Sequence, residues 1–372
     1  MTVNPLVQLG ALGQSPWFDN ITRDLLQTGE LQRLIANDGL RGMTTNPTIF
    51  EKDVIGSDRY DADIRALADS GLNPGEIFET LAVADVRTAC DMFLPLHNAS
   101  EGVDGLVSIE VSPALANDTD ATVREARRLW EAVDRPNVMI KIPGTQAGLP
   151  AITRCLTRGL NVNITLLFSV ARYRQVMEAY LTGLEQRRAR REPINRIASV
   201  ASFFVSRVDT TLDPMLGKSD VAAARGLRGK IAIANALVAY EAFQETFRGP
   251  RWDSLARDGA RVQRPLWAST STKDPALPDT YYVEALIAPN TVNTLPPETF
   301  KAYRQHGRPE VRINEQTVSE AKQRLATLAE AGFNLEEVTR ALETEGVEKF
   351  AASFTGLLSG VRKKAMALSG AS

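Results

Sequence analysis

Eight short apolar segments, each followed by a stretch with helical patterning, constrain this chain more than any other feature. The segments end near Asp19, Asn46, Val111, Ile142, Thr165, Phe204, Ser269 and Ile287. Between them the clearest 3.6-residue periodicities run over 22–36, 74–96, 119–132, 169–190 and 221–247. Eight strands alternating with helices predict an α/β protein with a (β/α)8 TIM barrel, rather than an open sheet. Such a barrel takes about 250 residues, and this chain has 372. The excess is expected in 49–70, in 249–263 and in a C-terminal helical extension over about 296–366, with helices at 317–331 and 335–358. No Pro/Ser-rich linker or low-complexity run interrupts the alternation, so residues 1–372 read as a single barrel domain with insertions.

Composition narrows the chemistry. Hydrophobic residues make up 44% and charged residues 24%, with a net charge of −2. That balance argues for a soluble protein and against nucleic-acid or membrane partners. The basic run Arg187, Arg188, Arg190, Arg191 reads as a solvated helix end. Cys90 and Cys155 are isolated, which fits a reducing cytoplasm, and neither a signal-peptide pattern nor a membrane-length run is visible. His97 and His306 are also isolated, which disfavours a His-based triad or metal site. Gly217-Lys218-Ser219 resembles the end of a phosphate-binding loop, but Leu212 stands where the leading glycine belongs. No metal or cofactor is expected.

The strands themselves carry unusual polar residues. Lys141 interrupts the apolar run Val138-Met139-Ile140-Lys141-Ile142. Burying an ammonium is unfavourable and frees the amine as a nucleophile, and such lysines form Schiff bases with carbonyls. The structural alternative is a strand-end lysine that reaches water or pairs with an acid. In Val107-Ser108-Ile109-Glu110-Val111 and Leu160-Asn161-Val162-Asn163-Ile164-Thr165 the polar residues again share one face. If the apolar faces meet the helices, Glu110, Lys141, Asn163 and Thr165 all point into the barrel near its C-terminal end, where barrel enzymes build their sites. Glu110 and Thr165 beside Lys141 form a proton-relay set suited to making and breaking an imine. At two further strand ends, Asp19 is a candidate base for a substrate hydroxyl or a helix cap, and Asn46 a hydroxyl clamp or a turn residue. Ser202, Arg207, Ser271 and Lys273 follow the sixth and seventh strands and are candidates to hold a phosphate. Arg207 pairing with Asp209 or Asp213, and Lys273 with Asp274, is the competing arrangement.

These residues bring a family into view. Thr44-Thr45-Asn46-Pro47-Thr48, Ile140-Lys141-Ile142-Pro143 and the stretch Asn161-Val162-Asn163-Ile164-Thr165-Leu166-Leu167-Phe168-Ser169 resemble three signatures of the transaldolases in their longer bacterial form. The match is collinear from about Asp19 to Asn293. It implies a circularly permuted class I aldolase barrel. It also implies transfer of a dihydroxyacetone unit from sedoheptulose 7-phosphate or fructose 6-phosphate to glyceraldehyde 3-phosphate or erythrose 4-phosphate, in the non-oxidative pentose phosphate pathway. By resemblance, Lys141 is the imine-forming lysine, and Glu110 with Thr165 handles protons through a water. Asp19 takes the proton of the C4 hydroxyl, Asn46 and Asn163 hold the dihydroxyacetone moiety, and Ser202, Arg207 and Ser271 contact phosphate. Lys273 departs from the arginine of shorter members, and Ser202-Phe203-Phe204 lacks their proline. The alternative within the same superfamily is a fructose 6-phosphate aldolase, a lyase that releases dihydroxyacetone. The resemblance implies that such lyases carry glutamine in place of Glu110 and tyrosine in place of Phe204, so Glu110 and Phe204 favour the transferase. A non-catalytic sugar-phosphate sensor would need neither a buried lysine nor a relay. The chain leaves a homo-oligomer open.

Overall fold

The computed structural model describes residues 4–45 and 47–369. Eight parallel strands close into a barrel in sequence order: β1 Gln14–Phe18, β2 Gly42–Thr44, β3 Leu106–Glu110, β4 Val138–Pro143, β5 Val162–Leu167, β6 Ser199–Phe204, β7 Arg264–Ala268 and β8 Thr291–Leu295. β1 closes the ring on β8, with Trp17 opposite Thr294 and Phe18 opposite Leu295. Nearly every strand residue is buried, as a parallel sheet covered by helices requires. The expected (β/α)8 barrel is therefore present. Among the described residues no helix is long and apolar enough to cross a membrane.

Helix boundaries follow local chemistry. Asn73 and Glu76 form a reciprocal capping box at the start of helix Pro74–Ala99, while Asp118 and Ser169 cap helices Thr119–Val133 and Val170–Ala189. The expected helix over 22–36 is two helices, Arg23–Gln27 and Glu30–Asn37, because Gly29 between them adopts φ +80°. The expected helix over 221–247 likewise splits into Ala222–Arg225 and Ile231–Thr246. The insertion over 49–70 is helical, as Pro47–Gly56 and Asp61–Asp69. The last helix, Leu335–Ser369, runs past the expected end at 358.

One strand assignment is corrected. The eighth strand does not end near Ile287, which lies beyond the short helix Tyr281–Ala285, but spans Thr291–Leu295. That strand lacks an apolar run, because Thr291 and the Asn293 carbonyl oxygen find partners inside the protein, while Asn293 Nδ2 has none among the described residues. Gln14 donates to Thr291 Oγ1 at 2.9 Å and Thr270 donates to Asn293 Oδ1 at 2.9 Å.

The barrel's lower half is filled. Trp17, two residues below Asp19 on the inward face, packs where a Cβ on Gly42 would lie 2.5 Å from its ring. Beneath it, Arg264 of β7 reaches across to Ser15 of β1 (2.8 Å) and to Asp104 (3.3 Å) ahead of β3. All three are buried. Within the barrel, that leaves the C-terminal mouth open for a site.

Asp209 anchors the outer layer. Its carboxylate accepts the Ala232 N–H at 2.7 Å and the Tyr282 hydroxyl at 3.0 Å. Desolvation nonetheless pushes its pKa up to about 7. A carboxyl whose pKa is raised on folding gives stability that is complete below its unfolded pKa and is lost as pH rises through 7. Asp209→Asn is therefore expected to raise stability at pH 8, by at most about 4 kcal/mol, and to change it little near pH 4. Denaturant melts of both proteins across that range check the sign.

Candidate active site

Strand register assembles the centre of the mouth. Glu110 of β3 lies opposite Lys141 of β4, and Lys141 lies opposite Asn163 of β5. Lys141 Nζ stands 3.6 Å from Glu110 Oε1 and donates to the Thr45 carbonyl at 3.1 Å. Both side chains of the ion pair are only 7% exposed. At 3.6 Å the pair attracts by charge without a hydrogen bond, and neither Glu110 oxygen has a hydrogen-bond partner among the described residues. Burial, opposed by the Lys141 charge and assisted by Asp19, pushes Glu110 up to about 6. That value suits a group that both takes and returns protons near neutral pH.

Lys141 opens into a cavity of about 150 Å³. Thr165 and Asp19 line it, along with Ser202, Phe204, Arg207 and Ser271. Thr165 Oγ1 is buried with no hydrogen-bond partner among the described residues. Its orientation follows from a bulge: the β5–β6 register slips between Ile164 and Leu167, and Leu166 adopts φ +62°. A left-handed leucine costs roughly 1 kcal/mol or more, a strain of the kind found beside functional groups.

Asp19 is not a helix cap; Thr22 caps helix Arg23–Gln27. Instead Asp19 Oδ1 accepts from Thr44 Oγ1 at 2.6 Å. Thr294 Oγ1 lies 2.9 Å from Thr44 Oγ1. Because the Thr44 proton goes to Asp19, Thr294 donates to Thr44, and the relay fixes the carboxylate.

Part of the cavity lining suits an anion. Arg207 lies in the first turn of helix Ser206–Gly217, whose dipole adds to its charge. Its guanidinium stacks on Phe204 with Cζ 5.5 Å from the ring centre. The competing partners are otherwise engaged: Asp209 as above, and Asp213 by the Gly229 N–H at 2.9 Å. No ion-pair partner of Arg207 is found among the described residues. Burial lowers the guanidinium's pKa, partly offset by Glu345. Lys273 is exposed and donates to Ser271 Oγ at 2.9 Å, at the outer edge of this pole.

Two expected residues remain. Asn163 is fully buried beside Lys141, donating to Ser108 Oγ at 3.0 Å and accepting from Ser202 Oγ at 2.7 Å. It braces β3 and β6 from below the cavity. Asn46 lies outside the described residues. Lining residues that escaped sequence reasoning include Thr44, Thr294 and Phe350. Thr44 sits in the inward-facing polar stretch of β2, a signal that was available. Thr294 was hidden by the misplaced eighth strand, and Phe350 arrives from a distant helix with no local signal.

A family model described as "Transaldolase/Fructose-6-phosphate aldolase" matches residues 16–361. A protein named "Transaldolase" from Acidothermus cellulolyticus is 51% identical over 364 residues, covering 97% of this chain and 96% of that relative. Another "Transaldolase", from Frankia alni, is 49% identical over 355 residues, covering 95% and 96%. "Transaldolase 2" from a Nostoc species is 46% identical over 383 residues, covering 99% and 100%.

Proposed function

The chain belongs to the transaldolase/fructose-6-phosphate aldolase family, and on that footing we propose that it is a transaldolase working through an imine on Lys141. The observation that carries the reading is the buried Lys141–Glu110 pair beside a cavity lined by Lys141, Thr165, Asp19 and Arg207.

The Lys141 ammonium passes a proton to Glu110, and the free amine adds to the C2 carbonyl of a ketose phosphate. Glu110, with Thr165, returns protons as the carbinolamine loses water to give a protonated imine. Asp19, held by Thr44, takes the C4 hydroxyl proton. The C3–C4 bond breaks, its electrons flow into the imine, and an aldose phosphate departs. The enamine left on Lys141 then attacks the aldehyde of a second aldose phosphate, and hydrolysis frees the new ketose. The protonated imine is itself the electron sink, so the reaction needs no metal or organic cofactor. Sugar phosphates in the cytoplasm are the partners, and residues 1–372 act as one domain.

Phe204 favours transfer over release. It is buried against Phe168, with ring centres 5.2 Å apart, and offers no hydroxyl to protonate the enamine. Mixing the protein with fructose 6-phosphate and erythrose 4-phosphate should yield sedoheptulose 7-phosphate, with dihydroxyacetone a minor product. Dihydroxyacetone as the main product would make the protein a lyase instead.

The phosphate pole is tested separately. Arg207→Ala should lower kcat/KM for fructose 6-phosphate about 10²-fold, the loss expected for a charge-assisted contact. Turnover of unphosphorylated fructose should change far less. Equal losses on both substrates would show that Arg207 serves the fold or the chemistry, not the phosphate.

A further inference from the structure

We propose that Phe350, on the C-terminal helix, is a second residue, beside Phe204, that sets how the enamine divides between transfer and hydrolytic release, by keeping water from its reactive carbon. The inference rests on the imine reading above.

Phe350 is 8% exposed and lines the Lys141 cavity, with its ring centre 5.8 Å from Nζ. One helical turn later, Phe354 lines a second cavity of about 70 Å³ on the Glu110 side and meets Phe78 edge-on at 5.8 Å. One helix thus roofs both cavities that meet at the Lys141–Glu110 pair. The residues it contributes to the two linings are both phenyls, which cannot deliver a proton.

This roof is held firmly in place. A Cβ on Gly346 would lie 3.0 Å from Leu166, the bulge residue next to Thr165, and one on Gly360 would lie 2.0 Å from Ile55. At both glycines the helix comes close enough that a larger residue would push the Leu166 or Ile55 side chain aside. Further along, Lys364 donates to the Val54 carbonyl at 2.9 Å and pairs with Asp61 at 2.6 Å. Those contacts tie the helix to Pro47–Gly56 and Asp61–Asp69.

The enamine has two fates. Its C3 can attack the aldehyde carbon of an aldose phosphate, forming the new C–C bond. Alternatively C3 takes a proton from water, and the electron pair of the enamine becomes a C–H bond. A second water then adds to C2, the C–N bond breaks, and dihydroxyacetone leaves with the Lys141 amine restored. Only the second path needs water at C3, and a phenyl over the lysine excludes it.

The test compares wild type with Phe350→Ala and Phe350→Leu on fructose 6-phosphate and erythrose 4-phosphate. Dihydroxyacetone released and sedoheptulose 7-phosphate formed are measured in one mixture. Borohydride trapping on Lys141 is followed alongside. Phe350→Ala should raise the release-to-transfer ratio about tenfold, and Phe350→Leu, which keeps apolar bulk, should stay within about twofold. Trapping should persist in all three. A ratio unchanged in Phe350→Ala, with trapping intact, overturns the proposal. Should that variant not fold, Phe350→Val must still exceed Phe350→Leu, and an equal ratio overturns it. Failure of wild type to trap at Lys141 instead overturns the imine reading.

Discussion

Lys141→Met is expected to abolish borohydride trapping by fructose 6-phosphate and to lower transfer by about 10⁴-fold or more, the scale on which a nucleophile's removal acts. Methionine keeps the length of the side chain and suits the apolar surroundings of β4, so the barrel should remain folded. Glu110 loses its counter-charge in that variant, but a carboxyl already pushed up to about 6 can neutralise, which limits the penalty for a widowed buried charge. Lys141→Arg separates the lysine's two properties. Arginine retains the positive charge opposite Glu110, yet it does not deprotonate in proteins and cannot form the imine. It should be as inactive as the methionine variant. Substantial transfer by Lys141→Arg, measured in single turnovers, would sink the covalent mechanism and leave only an electrostatic role.

Glu110→Gln should reduce kcat about 10²-fold to 10³-fold, the usual share of a general acid–base group. The pH profile carries more information than the size of the loss. In the wild type, deprotonated Glu110 must accept the lysine's proton, so kcat/KM should rise with pH through a midpoint near 6 and level off above it. A glutamine side chain does not titrate, so the variant's profile should lack that limb. A substrate phosphate also titrates near about pH 6, and the variant tells the two apart. A limb that survives the substitution belongs to the phosphate and removes Glu110 from the acid–base role.

The central pair was legible because strand alternation leaves few places for an inward lysine and glutamate to go. Lys141 and Glu110 each interrupt an apolar run at the same depth, and the register pairs them. Other features needed coordinates. Leu166 looks like any strand leucine, yet its left-handed backbone creates the bulge beside Thr165. The eighth strand was misplaced because buried Thr291 and Asn293 interrupt its apolar signal, and their bonds with Gln14 and Thr270 are not visible in the sequence. Asn163 was expected to reach the substrate from the inward face. Its amide bonds Ser108 and Ser202 on two other strands, partners the sequence does not reveal, with one N–H and one oxygen lone pair beyond those bonds. Phe350 reaches Lys141 from about two hundred positions along the chain, a juxtaposition that helical periodicity alone does not encode.

The closed floor beneath Trp17 has a consequence for the order of events. With Trp17 filling the interior and Arg264, Ser15 and Asp104 bonded across the base, substrates and products share one doorway. If Arg207 receives both phosphates, the departing aldose and the arriving one compete for a single berth. The first must leave before the second can dock, while the three-carbon fragment waits tethered to the lysine. Double-displacement kinetics would then be a property of the barrel's architecture as much as of its chemistry.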